Sequence, residues 1–174
     1  MRVSAHDLKR AHEEKKIATL AWITRNLLEL SVWIEYCEKS DANAKRFRDD
    51  AMRDMYGWAT AIHKLYQEKR GKDNLSLKTS MGNLKKFAAT KGIPALEDDF
   101  KRVSEAATTL GLGNRFVNLN KLYSKFAHPT AGLVHTVRAI EPDEEMRDMF
   151  FIDGATLALR SLQIIYGGIK KWVA

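Results

Sequence analysis

Between Ile17 and Cys37 the chain is apolar on nearly every side when it is drawn as a helix. One face repeats at the helical spacing of about 3.6 residues. That face consists of Leu20, Ile23, Leu27, Leu30 and Ile34. A helix that is apolar all round is usually buried in the protein core. The pattern therefore predicts a central helix that the other helices cover.

The opposite face of this helix carries Arg25, Glu29 and Tyr36, with Trp22 and Trp33 beside them. A buried charge requires a partner, so these polar groups are expected to face other protein or a binding pocket. A simpler interpretation is a structural salt bridge between Arg25 and Glu29 within the helix. Arginine before glutamate is the less favourable order for such a pair, which counts slightly against that interpretation.

Apolar periodicity and turn residues predict a succession of helices along the chain. The first includes the central stretch and runs from about Ala5 to Glu38. The others are expected at about Ala42–Lys69, Thr79–Lys91, Ala95–Leu110, Asn114–His128 and Gly154–Trp172. The sequence has no strand-like alternation, internal repeat, low-complexity segment or interdomain linker.

The helix expected at 42–69 has two distinct faces. Its apolar stripe, which is expected to pack on the core, consists of Phe47, Ala51, Met55, Trp58, Ala59, Ile62 and Tyr66. Its outer, mixed-charge face consists of Arg46, Arg48, Asp49, Asp50, Arg53 and Asp54.

The fold class that follows is all-α, a single bundle of five to seven helices around the long first helix. Residues 42–69, 114–128 and 154–172 are expected to pack against the central helix. All of 1–174 is expected to form one helical domain, in which 71–113 is a peripheral, basic helical pair.

Composition narrows the class of protein. The single cysteine, Cys37, allows no intrachain disulfide. The first residues have no apolar signal core, and no run reaches the roughly 18 apolar residues of a membrane span. We therefore expect a soluble, cytoplasmic protein without a membrane partner. Cys37 and the five histidines lack zinc-site spacing, and phosphate-binding glycine loops are missing, so no metal or cofactor is expected.

Most of the net charge of +7 lies in one segment, residues 61–92. That segment contains eight lysines and arginines against Glu68 and Asp73. Lysine and arginine neutralise phosphates, so RNA is a candidate partner through 61–92. Aromatic residues among the basic ones would support single-stranded nucleic acid. Only Tyr66 and Phe87 are present, and both fit core positions, which favours an ordinary solvated face.

A second cluster of chemically capable residues lies in the stretch 120–130. Lys121, Ser124, Lys125 and His128 share one face of the expected helix. Histidine beside hydroxyl and ammonium groups is suited to acid–base chemistry on a phosphodiester or acyl substrate. These four residues are the candidate catalytic set. In the alternative interpretation His128 caps the helix and both lysines are solvated.

Two stretches, RNLLELSVWIEYCEKSDANAKRF and LYSKFAHPTA, resemble a family of bacterial all-helical proteins of unknown function. In that family an Arg-x-x-x-Glu helix precedes a helix that ends in Tyr-Ser-x-x-x-His-Pro. The resemblance implies a helical bundle in which Arg25, Glu29, Tyr123 and His128 lie near one another. Together with Tyr36 from the residue pattern, the first three form the candidate binding set.

The chain is also similar, more distantly, to the HEPN helical bundles, many of which bind or cut RNA as toxins or phage-defence effectors. Their motif is an arginine followed, after four to six residues, by a histidine. Here Lys121 stands at the arginine position, six residues before His128. Lysine cannot form the planar, bidentate contact with phosphate that arginine forms.

Three function hypotheses follow. The first is a binding or regulatory domain in an RNA-linked or phage-defence setting. The second is a metal-independent ribonuclease that uses His128 as base and Lys121 or Lys125 for phosphate. The third is a structural interaction module, a homodimer formed through exposed apolar surface.

Overall fold

The computed structural model describes residues 2–93, 95–127 and 144–173, which contain seven α-helices and no strand. In chain order the helices are α1 Arg2–Glu13, α2 Ile17–Lys39, α3 Asp41–Arg70, α4 Leu75–Thr90, α5 Val103–Thr109, α6 Gly113–Ala127 and α7 Glu144–Val173. The all-α fold class is therefore confirmed. None of the helices in the described ranges is long and apolar enough to cross a membrane.

The chain divides into two compact units. The first unit combines Met1–Ser40 with Val103–Ala174, and the second unit is Asp41–Arg102. The expected basic pair, 71–113, is thus shared between the units, with α4 in the second and α5 in the first. A single bundle in one domain stays a prediction.

In the first unit α2 is the central element and packs against α1, α5, α6 and α7. Its side chains Leu20 and Leu27 are completely or almost completely buried, together with Tyr123 of α6 and Phe150 of α7. The rings of Tyr123 and Phe150 meet edge to face at 5.4 Å between centroids, a favoured aromatic geometry. The sequence pattern therefore identified the core helix of this unit.

The buried face of α2 differs in part from the predicted one. Leu20, Ile23 and Leu27 are buried as expected, but Leu30 is exposed. Burial extends instead to the flank that carries Thr24 and Leu28. Apolar periodicity alone could not choose between flanks, because this helix is apolar on most sides.

The predicted first helix, 5–38, is two helices in the structure. Lys15 has a left-handed backbone with φ of 56°. The N–H of Lys16 donates to the carbonyl of Ala11 at 2.9 Å, and the N–H of Lys15 donates to that of His12 at 3.1 Å. These two bonds form a Schellman-type termination. The sequence did not indicate this helix end, because a lysine rather than a glycine has the left-handed backbone conformation.

In the second unit α3 packs against α4. Its small core consists of Ala88, Ile93 and Leu96, with Met52, Tyr56 and Leu84 partly buried against it. The predicted apolar stripe of α3 is largely exposed: Trp58, for example, is 67% exposed, and Phe47 and Met55 are also exposed. Ala59 of this stripe is buried as expected, but the core prediction is wrong for Phe47, Met55 and Trp58, and for Phe87 of α4.

Three residues of the expected outer charged face of α3 are buried instead: Asp49, Asp50 and Arg53. Arg53 Nη1 donates to Asp50 Oδ1 at 2.7 Å, and Arg53 Nε donates to the carbonyl oxygen of Ala95 at 3.3 Å. The backbone N–H of Lys101 donates to Asp50 Oδ2 at 3.1 Å. Charged side chains of α3 therefore hold the segment after residue 94.

That attachment explains a second difference from the sequence prediction. A helix was expected over 95–110, but the described backbone is helical only from Val103 to Thr109. In segment 95–102 the carbonyl oxygen of Ala95 and the N–H of Lys101 form hydrogen bonds with side chains of α3. Tertiary hydrogen bonds thus replace helical ones in this segment.

Helix α7 begins at Glu144, ten residues before the predicted start. Two acidic residues, Glu144 and Glu145, occupy its first turn, where they interact favourably with the helix dipole. Gly154 lies where α7 meets α1 and α2. A Cβ atom there would lie 2.9 Å from Leu8 Cδ1 and 2.9 Å from Thr24 Oγ1. Only glycine permits this close approach.

Candidate functional site

The central polar feature of the first unit is the guanidinium of Arg25. Its Nη2 atom lies 2.7 Å from Glu29 Oε1, and its Nε atom donates to Ser124 Oγ at 3.1 Å. The Arg25 and Glu29 side chains are 24% and 28% exposed. The arginine therefore joins α2 to α6 and remains partly accessible to solvent.

The salt bridge forms despite its less favourable order along the helix. Ser124 supplies a second partner for Arg25 from another helix, which holds the guanidinium in position. Ser124 belongs to the candidate catalytic set, and Arg25 and Glu29 belong to the candidate binding set. The structure thus brings these three residues together across 99 positions of sequence.

Two further candidates, Lys121 and Lys125, lie within one turn of Ser124 on α6. Both are exposed, and neither has an ion-pair partner among the described residues. On α2 the indole of Trp22 is 53% exposed. Because residues three apart on a helix are neighbours, Trp22 and Arg25 lie side by side.

The two tyrosines of the candidate binding set are buried. Tyr36 is 4% exposed, and its ring meets that of Trp33 edge to face at 5.8 Å. Tyr123 has no exposed surface, and its hydroxyl donates to Asp153 Oδ2 on α7 at 2.6 Å. The hydrogen bond of Tyr123 is thus directed to α7 rather than to Arg25.

The environment of Tyr123 keeps its phenol protonated. Burial raises the pKa of Tyr123 far above its usual value, and the hydrogen bond to Asp153 and the negative charge of that carboxylate raise it further. Arg115 acts weakly in the opposite direction. The phenol is therefore a persistent hydrogen-bond donor to Asp153 Oδ2.

His128, the proposed base of the candidate catalytic set, lies outside the described residues. Helix α6 ends at Ala127, one position before it. The convergence of His128 with Arg25 and Glu29 therefore stays a prediction. No group of three His, Cys, Asp or Glu side chains that could hold a metal ion occurs in the described ranges.

A cavity of about 90 Å³ lies between α2, α6 and α7. Most of its walls are apolar, and they are formed by Leu28, Val32, Leu112, Phe116, Leu119 and Leu157. Charged or hydrogen-bonding groups line the remainder, among them Glu35, Arg115, Tyr123, Asp153 and Arg160. Of these only Tyr123 was a candidate from sequence. Asp153 was not a candidate, although a buried tyrosine hydroxyl is itself a signal that a hydrogen-bond partner exists.

A family model described as a family of unknown function, DUF5677, matches residues 13–146 of the chain. The match begins at the last residue of α1, includes α2 through α6 and ends within the first turn of α7. No curated protein and no solved structure matches the chain.

Proposed function

The chain belongs to the DUF5677 family, and we propose that it is a binding domain for single-stranded RNA whose site is the contact between α2 and α6. The observation that carries the proposal is the pair formed by a half-exposed Trp22 and a fixed, partly exposed Arg25 one turn later. A stacking ring beside a cation is the arrangement that single-stranded nucleic acid requires.

The charges around Arg25 support phosphate binding. Arg25 is partly neutralised by Glu29, but Lys121 and Lys125 add two exposed cations on the neighbouring helix. Arginine is suited to bidentate contacts with phosphate oxygens. Glu29 and Ser124 hold the guanidinium in one orientation before a ligand arrives, which reduces the entropy lost on binding.

The exposed face of Trp22 supports base stacking. Stacking of a base on an aromatic side chain is worth about 1–3 kcal/mol and tolerates any base. The ring lies next to Arg25 along the helix, so one nucleotide would place its base on Trp22 and its phosphate on the guanidinium. The basic segment 61–92 in the second unit would add salt-dependent attraction without sequence preference.

The test is binding of a fluorescent, unstructured RNA by the full chain at low and moderate salt. We expect Trp22→Ala to weaken binding about tenfold, since about 1.4 kcal/mol of stacking corresponds to that factor. Trp58→Ala is the matched control, because Trp58 is a more exposed tryptophan on α3. Equal losses in the two variants, or no binding at low salt, would overturn the proposal, and equal affinity for DNA would widen it to both nucleic acids.

The more distant resemblance to the HEPN bundles would extend this proposal to a regulatory role in an RNA-linked or phage-defence setting, and in its strongest form to ribonuclease activity. The same RNA with labelled ends reports cleavage directly. In that form Lys121 or Lys125 would contact the scissile phosphate and His128 would act as base. Cleavage that persists in His128→Ala would reject that form and leave the binding role intact.

A specific observation on α7 favours a second candidate, a homodimer. Ile152, Leu159, Leu162 and Tyr166 are exposed along one stripe of the helix. Their spacing of seven, three and four residues is that of a coiled-coil seam. A stripe of exposed apolar residues at this spacing is typical of an interaction surface. The stripe itself carries no charge, so two copies would meet without repulsion.

The dimer is tested by light scattering after size-exclusion chromatography. We expect a dimer in the unmodified chain that resists high salt, and a monomer in Leu159→Glu, because a charge in an apolar seam is costly to bury. Leu65→Glu, a similarly exposed leucine on α3, is the control and should remain dimeric. A monomeric unmodified chain at high concentration would exclude this candidate.

A further inference from the structure

The cavity between α2, α6 and α7 is a second candidate site, separate from Arg25 and Trp22. From the two charges that line it and from its apolar walls, we infer that it binds a free α-amino acid with a small aliphatic side chain. The inference is independent of the proposed RNA binding, because it uses neither Trp22 nor the lysines of α6.

The size and walls of the cavity favour an aliphatic group. The volume is about 90 Å³, which is smaller than the apolar cavity of roughly 150 Å³ that is known to hold benzene. Branched chains with three or four carbons therefore fit better than an aromatic ring. The side chains that would contact this aliphatic group include Leu28, Val32 and Leu119. Phe116 provides a buried aromatic surface.

The charges on the polar side of the cavity do not all neutralise one another. Arg160 Nη2 lies 2.5 Å from Glu35 Oε1, so these two form a pair of their own. Arg115 and Asp153 remain, and neither has an ion-pair partner among the described residues. The cavity therefore presents one unpaired cation and one unpaired anion to a ligand.

Both unpaired charges line the same cavity as Tyr123. The Tyr123 hydroxyl donates to Asp153 Oδ2. The hydrogen bond occupies one carboxylate oxygen of Asp153 and fixes its orientation, which leaves the other oxygen for a ligand cation. A ligand at this position meets a guanidinium and a carboxylate together.

A dipolar ligand satisfies both groups at once. Its carboxylate would make a bidentate contact with Arg115, and its ammonium would donate to Asp153. A simple fatty acid would leave Asp153 unpaired beside its own negative charge, and a simple amine would leave Arg115 unpaired. Charged groups that a ligand desolvates without pairing lower its affinity. The α-amino acid is thus the chemical class that the cavity complements.

The experiment is titration of the full chain with L-valine by calorimetry, with methyl NMR of the leucines and valines that line the cavity. We expect saturable binding that shifts the methyl signals of Leu28, Val32 and Leu119. Isobutylamine lacks the carboxylate, isovalerate lacks the ammonium, and L-phenylalanine is too large, so each is expected to bind at least tenfold more weakly.

Two variants test the charges separately. Arg115→Ala removes the cation, and Asp153→Asn removes the anion while keeping an oxygen that accepts the Tyr123 hydrogen bond. Each is expected to weaken L-valine binding at least tenfold. Arg102→Ala and Asp98→Asn, which change exposed charges outside the cavity, are expected to bind as the unmodified chain does.

No saturable binding of L-valine, or binding that both cavity variants retain, would overturn the inference. Isovalerate binding as tightly as L-valine would also overturn it, because Asp153 would then have no ligand partner. Since Arg115 is exposed, its alanine variant should fold normally, and circular dichroism verifies this. RNA binding of the same variants is expected to be unchanged, which separates this inference from the proposed function.

Discussion

Replacement of Asp50 by alanine is expected to lower the free energy of unfolding of the second unit by about 3–5 kcal/mol. Asp50 and Arg53 are both almost fully buried, and Arg53 Nη1 lies 2.7 Å from the Asp50 carboxylate. The substitution leaves the Arg53 guanidinium buried without its counter-ion. It also removes the acceptor for the N–H of Lys101 and the partner of Arg46.

Hydrogen exchange of the full chain, followed by mass spectrometry, measures this loss within α3 and segment 95–102. Asp54→Ala is the matched control, since Asp54 is an exposed aspartate on the same helix, one turn beyond Asp50. Surface substitutions of this kind usually change stability by no more than about 0.5 kcal/mol. If the two variants accelerated exchange equally, the buried ion pair would not be what holds segment 95–102.

Replacement of Gly154 by valine is expected to destabilise the first unit by about 3 kcal/mol, the upper part of the usual range for overpacking. A Cβ atom would meet Leu8 and Thr24 at 2.9 Å. Both neighbours are enclosed by other protein atoms, since Leu8 is 2% exposed and Thr24 is completely buried. Thr24 is held further by its hydrogen bond to the carbonyl oxygen of Phe150.

Gly167→Ala on the same helix is the control, because nothing lies within 4 Å of a Cβ atom at that position. There alanine is expected to stabilise the helix by up to about 1 kcal/mol, its advantage over glycine in a helix interior. Urea denaturation followed by circular dichroism compares the two substitutions. A Gly154→Val chain as stable as the unmodified one would contradict the close contact between α7, α1 and α2.

The helices of this protein follow from local signals, but the side of α3 that is buried does not. Its apolar stripe has helical periodicity, and the simplest rule places that stripe inside. The structure instead buries Asp50 and Arg53, because the backbone of Ala95 and Lys101 supplies their remaining hydrogen bonds. Those partners lie more than 40 positions away, so no local pattern reveals them.

The candidate site was likewise predictable only where its contacts lie within one helix. Arg25 and Glu29 interact within one helix, so their spacing suffices to predict the pair. Ser124 was singled out for its chemistry, yet its contact with Arg25 depends on how α6 crosses α2. Asp153 and Arg115 were not among the candidate site residues, because single charges near predicted helix ends are common. The cavity they line exists only once three helices are packed together.

The division into two units has a consequence for how the chain is synthesised. Helix α2 emerges from the ribosome before the whole of Asp41–Arg102, whereas α5, α6 and α7, which cover it, emerge after. At about 5–20 residues per second, the intervening unit alone takes roughly 3–12 s to translate. During that interval α2 lacks α5, α6 and α7, the later helices that pack against it. The nascent chain is therefore exposed to misassociation at α2, which makes it a natural client for chaperones that bind apolar segments during translation.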